Sequence, residues 1–138
     1  MKVSQKLENA CRVLVQLAQA YDGHKVTRVE ELAKREGVSA NFLLQILNDL
    51  RRAGLVTSRR GKNGGYILAR PAAEISLREI VEAVDGTPIE VEVQAAGDSG
   101  VRVARVWGEV ARNFATMLDG ITLVEMAATP DGGGMFYI

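Results

Sequence analysis

Apolar residues recur every three to four positions through the first segment of the chain, at Leu7, Ala10 with Cys11, Leu14, Leu17 with Ala18, and Tyr21. That spacing matches the 3.6-residue period of a helix and predicts one with a single apolar face. The polar stretch from Tyr21 to Lys25 reads as a turn. Thr27 followed by Glu30 is a capping-box pattern that opens a helix of about two turns through Glu31, Leu32 and Ala33, with Gly37 as its stop. Only Val38 separates Gly37 from Ser39, a good N-cap for a helix from about residue 40 to 53 that Gly54 ends. Phe42, Leu43, Ile46, Leu47 and Leu50 supply its buried stripe, while Asn41, Leu44, Gln45 and Asn48 share the other side. Two short helices joined by so tight a turn predict a helix-turn-helix.

The period then changes. Residues 55–59 and 66–69 read as two strands, and Arg60-Gly61-Lys62-Asn63-Gly64-Gly65 between them as a glycine-rich turn, so a hairpin with a basic tip is expected. Ser76 and Glu79 form a second capping box, for a helix reaching Val84 that Gly86 and Pro88 close. From residue 87 to 100 the pattern weakens: Ile89, Val91 and Val93 alternate with acidic residues, Gly97 to Gly100 reads as linker, and no element is assigned. Beyond it Val103, Trp107, Val110, Phe114 and Met117 form the seam of a helix that packs along another helix, widened by Val106, Ala111 and Leu118. At 1.5 Å per residue a helix over 101–119 runs to about 30 Å, more than a small domain covers, and the predicted cover is the same helix of a second subunit. Thr122 and Glu125 make a last capping box, and Gly132-Gly133-Gly134 predicts a mobile end.

The expected fold class is therefore mainly α with a small β-hairpin: a winged helix-turn-helix head over 1–86, a variable linker over 87–100, a dimerisation helix and short terminal helix over 101–128, and a flexible tail over 129–138. With 138 residues and 47% hydrophobic content, a second independent core is not expected. No run approaches the roughly 18 apolar residues of a membrane span, and the N-terminus lacks a secretory pattern, so the expected location is the cytoplasm with no membrane partner. A single cysteine excludes an intrachain disulfide and an all-cysteine metal site within one chain. With one Cys and one His, the sequence offers neither a nucleophile with its base nor a metal centre, and an enzyme is not expected.

Charge changes the picture more than composition does. The net charge of zero hides a segregation: residues 1–70 carry 13 Lys and Arg against 6 Asp and Glu, whereas residues 71–138 carry 4 against 11. One end of the chain suits a polyanion and the other is turned away from it. A helix with a polar first half, preceded by a tight turn and followed by a basic hairpin, has the parts needed to read double-stranded DNA. Ser39, Asn41 and Gln45 are the candidates for base edges in the major groove, where an amide pairs bidentately with adenine. The hairpin offers Ser58, Arg59, Arg60, Gly61, Lys62 and Asn63, with glycines that let the backbone approach and arginines suited to a narrow minor groove. A nucleotide-binding glycine loop does not fit, because the strand-loop-helix context and the Lys-Ser/Thr ending are missing. The competing class is a winged-helix protein-interaction module with weak or no DNA binding.

The run from Val26 to Arg70, with Glu31-Leu32-Ala33, Val38-Ser39, Asn41-Phe42-Leu43, Leu50 to Val56, Ser58 to Gly61 and Gly64 to Arg70, resembles a specific family of winged helix-turn-helix regulators. It is the Rrf2-type family of the iron-sulfur cluster regulator, the nitric-oxide-sensing repressor and the cysteine-metabolism repressor (IscR/NsrR/CymR-like). The resemblance is strong over residues 1–86 and fades to a helix pattern over 101–128. It implies a transcriptional repressor acting as a homodimer, with crossed C-terminal helices joined through Val103, Trp107, Val110, Phe114 and Met117 and two heads on an inverted repeat. It implies Ser39, Asn41, Phe42 and Gln45 at the major groove, Arg60 with Gly61 in the minor groove, and Ser4, Lys6 and Arg51 near phosphates. Leu44 departs from the family, where glutamate often stands. Cluster-binding members place three cysteines in the region corresponding to residues 92–107, and here there are none, so the expected cofactor is none and an iron-sulfur cluster is not expected. Glu8 stands where one unusual member uses a glutamate ligand, but Arg12 replaces the accompanying histidine. Cys11 reads as a structural thiol and His24 as a surface residue. The effector is open: a small molecule, a protein partner, or none.

Overall fold

The computed structural model describes residues 2–88 and 93–129. The alternating segment at 89–92 and the glycine-rich tail from 130 to 138 lie outside the described residues.

Helix α1 spans Gln5–Gln19 and begins where Ser4 Oγ accepts the Leu7 N–H at 2.9 Å. It is the central rod of the head, touching α2 (Val29–Glu36), α3 (Ala40–Arg52), α4 (Leu77–Asp85) and α6 (Leu123–Ala127). Leu14 and Leu17 from α1 meet Leu32, Leu43, Ile46, Leu47, Leu50, Ile75 and Ile80 in one fully buried cluster. Burying each such side chain is worth roughly 1.5–3 kcal/mol, which makes this cluster the source of the head's stability. Leu123 of α6 is equally buried, so the chain returns to the head after its longest helix.

The turn between α2 and α3 is set by Gly37, whose left-handed φ of 70° lets the Val38 N–H donate to the Ala33 carbonyl at 3.1 Å. The hairpin pairs β1 (Val56–Arg59) with β2 (Gly65–Leu68), Val56 opposite Leu68 and Arg59 opposite Gly65. A 3-10 turn over Ala72–Glu74 leads into α4, where both halves of the Ser76–Glu79 capping box form, at 3.1 and 3.2 Å.

Two predicted capping boxes are not made. Arg28, not Thr27, occupies the N-cap of α2, and no side chain caps that end. Thr27 is buried, and its N–H and carbonyl pair with Tyr66 at 2.8 Å each, which fastens the hairpin to the head as a third extended segment. A Cβ on Gly65 would lie 2.5 Å from the Thr27 carbonyl oxygen, so glycine is required for this approach. Thr122 does precede α6 but makes no side-chain cap; it bridges Ser76, with Leu77 N–H donating to Ile121 and Leu123 N–H to Ile75 at 2.8 and 2.9 Å. In both cases a long-range backbone bridge replaced the local cap.

Helix α5 spans Gly100–Asp119, one residue longer at its start than the pattern predicts. Only Leu118 is buried along it, and Phe114 is half-buried against the head core. Arg78 of α4 holds its end through Asp119 at 2.9 Å while also pairing Glu82. The rest of the stripe is open: Val103, Trp107, Val110 and Met117 are 46%, 49%, 42% and 56% exposed. Among the described residues no helix is long and apolar enough to cross a membrane.

Candidate nucleic-acid interface

Helix α3 presents its first turns outward because its apolar stripe is committed to the core. Ser39 Oγ accepts the Phe42 N–H at 3.1 Å, capping the helix while its hydroxyl hydrogen remains able to donate outward. Asn41 and Gln45 are exposed. Phe42 is half-buried and packs on the core, so it braces the start of α3. Leu44 lines a cleft of about 220 Å³ together with Arg28, Arg59, Gly61 and Tyr66, between the start of α2, α3 and the hairpin. The outer side of α3 and the hairpin tip thus flank one surface.

The hairpin tip is electropositive without internal compensation. Ser58, Arg59, Arg60, Gly61, Lys62 and Asn63 are all exposed. Arg59 donates to the His24 carbonyl at 3.0 Å, which steadies the hairpin against the loop after α1. None of the salt bridges among the described residues uses Arg59, Arg60 or Lys62. An unneutralised cluster of this kind attracts phosphate and releases counterions on binding it.

The three residues expected near phosphates differ from one another. Arg51 is exposed and makes only a 3.4 Å hydrogen bond to Asn48, leaving its charge available. Lys6 is ion-paired with Asp49. The Ser4 hydroxyl caps α1 and is also within 2.9 and 3.1 Å of the Asp85 carboxylate oxygens. A phosphate would have to displace those carboxylates. Conversely, Arg28 was not marked by any motif, yet it lines the cleft beside Leu44 and a second one of about 250 Å³ beside Lys62 and Asn63. Its guanidinium is held loosely by Glu30 at 3.6 Å. The available signal was its place as a basic residue immediately before α2.

Away from this surface, burial and then the nearby Glu8 push the Cys11 thiol up to about 11, so it is protonated at neutral pH and behaves as a small apolar group. His24 is exposed in a turn whose Lys25 and His24 N–H groups both donate to Asp22, holding that carboxyl below its ordinary range. Arg12, expected to replace a ligand, is bonded through Nε to the Glu36 carboxylate and through Nη2 to the Glu36 carbonyl, 2.8 Å each.

Comparison with known proteins agrees with this geometry. A protein-family model described as Rrf2, an iron-dependent transcriptional regulator, matches residues 3–129. The chain is 42% identical over 106 residues to the HTH-type transcriptional regulator IscR of Cereibacter sphaeroides, covering 76% of this chain and 68% of that protein. It is 31% identical over 141 residues to the HTH-type transcriptional regulator CymR of Bacillus subtilis, covering the whole of both. The solved structure of CymR, the global cysteine regulator of that organism, matches with a TM-score of 0.78 at 28% identity, over 95% of this chain and 99% of that one. These relatives are named as regulators.

The residues present do not fit the iron of the family description. A cluster is held chiefly by thiolates or imidazoles that converge, and the one cysteine carries a protonated thiol on α1 while the one histidine sits in the loop after it. Among the described residues no group of three His, Cys, Asp or Glu side chains is placed to hold a metal ion.

Proposed function

As the chain belongs to the Rrf2 family of helix-turn-helix transcriptional regulators, and so is a DNA-binding regulator, we propose that it represses transcription as a homodimer on a palindromic operator, without an iron-sulfur cluster or other metal cofactor, in the cytoplasm. The observation that carries this reading is the single surface formed by the polar side of α3 and the unpaired cations of the hairpin. In it Ser39, Asn41 and Gln45 reach base edges, with Phe42 bracing the helix from behind. Arg60 and Lys62 enter the minor groove beside Gly61, with Ser58, Arg59 and Asn63 flanking them, and Arg51 meets phosphate. Dimerisation follows from α5, where an apolar stripe through Val103, Trp107, Val110 and Met117 is open to solvent and Phe114 roots it in the head. Pairing two such helices covers both stripes and sets two heads on half-sites about one helical turn, roughly 34 Å, apart. The protein carries out no catalysis.

Titration of promoter fragments with the full-length protein at increasing salt tests the proposal. The expected result is an affinity that falls linearly in log–log terms, with a slope of about −0.9 per phosphate neutralised. Arg60→Ala should weaken binding by about tenfold, 1.4 kcal/mol, and leave the dimer intact on size exclusion. Salt-independent binding, or no binding to any fragment, would identify a protein-interaction module instead.

A further inference from the structure

The reading side of α3 has an unusual composition for a helix that meets DNA. Between Ser39 and Asn48 there is no Arg, Lys, Asp or Glu; the first charged residue is Asp49, which is engaged with Lys6. Guanine is read most often by Arg or Lys on its O6 and N7 acceptors, and cytosine by Asp or Glu on its amino group. The first turns of α3 therefore lack the usual readers of a G·C pair. What they offer outward are the amides of Asn41 and Gln45, suited to the N6 and N7 edge of adenine, and one apolar side chain beside Asn41, Leu44.

Leu44 is not consumed by the core. Its neighbours Leu43, Ile46 and Leu47 are fully buried and Phe42 packs on the cluster, whereas Leu44 is half-exposed and lines the open cleft facing Arg59 and Gly61 of the hairpin. It sits one helical turn after Asn41, on the same side. The only base edge in the major groove that presents a methyl group is thymine, and covering that methyl removes apolar surface on both partners from water. The hairpin favours the same composition, because A·T runs narrow the minor groove and deepen the negative potential that Arg60 would enter.

Resting on the sequence-specific reading above, we propose that each operator half-site has a core of A·T pairs, with Asn41 and Gln45 on adenines and Leu44 against the C5-methyl of a thymine. The test is selection of bound duplexes from a random pool by the full-length protein, followed by replacement of individual thymidines with deoxyuridine, which deletes the methyl and nothing else. A·T pairs should dominate the half-site. One dT→dU replacement should weaken binding by about fourfold, the worth of one methyl group, and the effect should vanish with Leu44→Ala. Because the DNA change leaves the protein untouched, it is decisive even where the variant is unstable. A half-site of G·C pairs, or equal affinity for every deoxyuridine duplex, overturns this proposal while leaving operator binding in place. A pool that yields no preferred sequence overturns it together with the sequence-specific reading.

Discussion

Helices α3 and α5 are both amphipathic, and they dispose of their apolar faces in opposite ways. In α3 the residues Leu43, Ile46, Leu47 and Leu50 are completely buried against α1, α2 and α4, so its polar side is the one left over for a ligand. In α5 the stripe is open to solvent for most of its length, and only the last turns, through Phe114, Leu118 and the Asp119–Arg78 pair, are tied to the head. Among the described residues one helix has its apolar face covered and the other has most of its stripe exposed. An apolar period announces that a face will be covered; it is silent on whether the cover is intramolecular.

The largest effect expected from breaking this contrast is at Leu47. Leu47→Ala should cost 2–5 kcal/mol of unfolding free energy in urea, about the range for a large core side chain, and a loss under about 1 kcal/mol would mean that α3 is not anchored by the core. In α5, Trp107→Ser should weaken self-association by about 2 kcal/mol or more, read by light scattering during size exclusion. Phe114→Ser should also lower the stability of the head itself, since Phe114 packs on its core; equal behaviour of the two variants would erase the boundary between stalk and head.

A smaller effect concerns the head alone. Glu79 pairs with Arg70 and closes the Ser76 cap, and the Arg70 hydrogen bond, followed by the Ser76 N–H, holds its carboxyl below the ordinary 4.5. The stabilisation is therefore complete above pH 4.5 and fades as pH falls through the lower folded value. Glu79→Gln should cost about 1 kcal/mol at neutral pH, and its difference from the native protein should shrink as pH falls below 4.5. Smallest is Arg28→Ala, expected to reduce the salt slope of DNA binding by about one without changing sequence preference; an altered preference would make Arg28 a base contact.

Much of this organisation was legible in the sequence, and the misses share a cause. Of the Ser/Thr-x-x-Glu patterns read as capping boxes, at Thr27, Ser76 and Thr122, only that at Ser76 forms the reciprocal cap. Thr27 and Thr122 were claimed by extended bridges to Tyr66 and Ser76, partners 39 and 46 positions away. Ser4 and Lys6, which the resemblance puts near phosphates, are engaged in this structure by Asp85 and Asp49, partners remote in sequence. Arg28 carried no motif, and its place between two clefts exists only once the hairpin folds back over α2.

By itself the order of residues determined the helices, the tight turn at Gly37, the hairpin and the segregation of charge, since periodicity and glycine conformation act over a few neighbouring positions. Only the tertiary structure decided which polar groups are engaged by ion pairs, that the hairpin closes a cleft beside Leu44, and that α6 returns to complete the head while the α5 stripe is left exposed among the described residues. Those outcomes depend on which distant segments compete for the same hydrogen bond, charge or apolar surface, and that competition has no period along the chain.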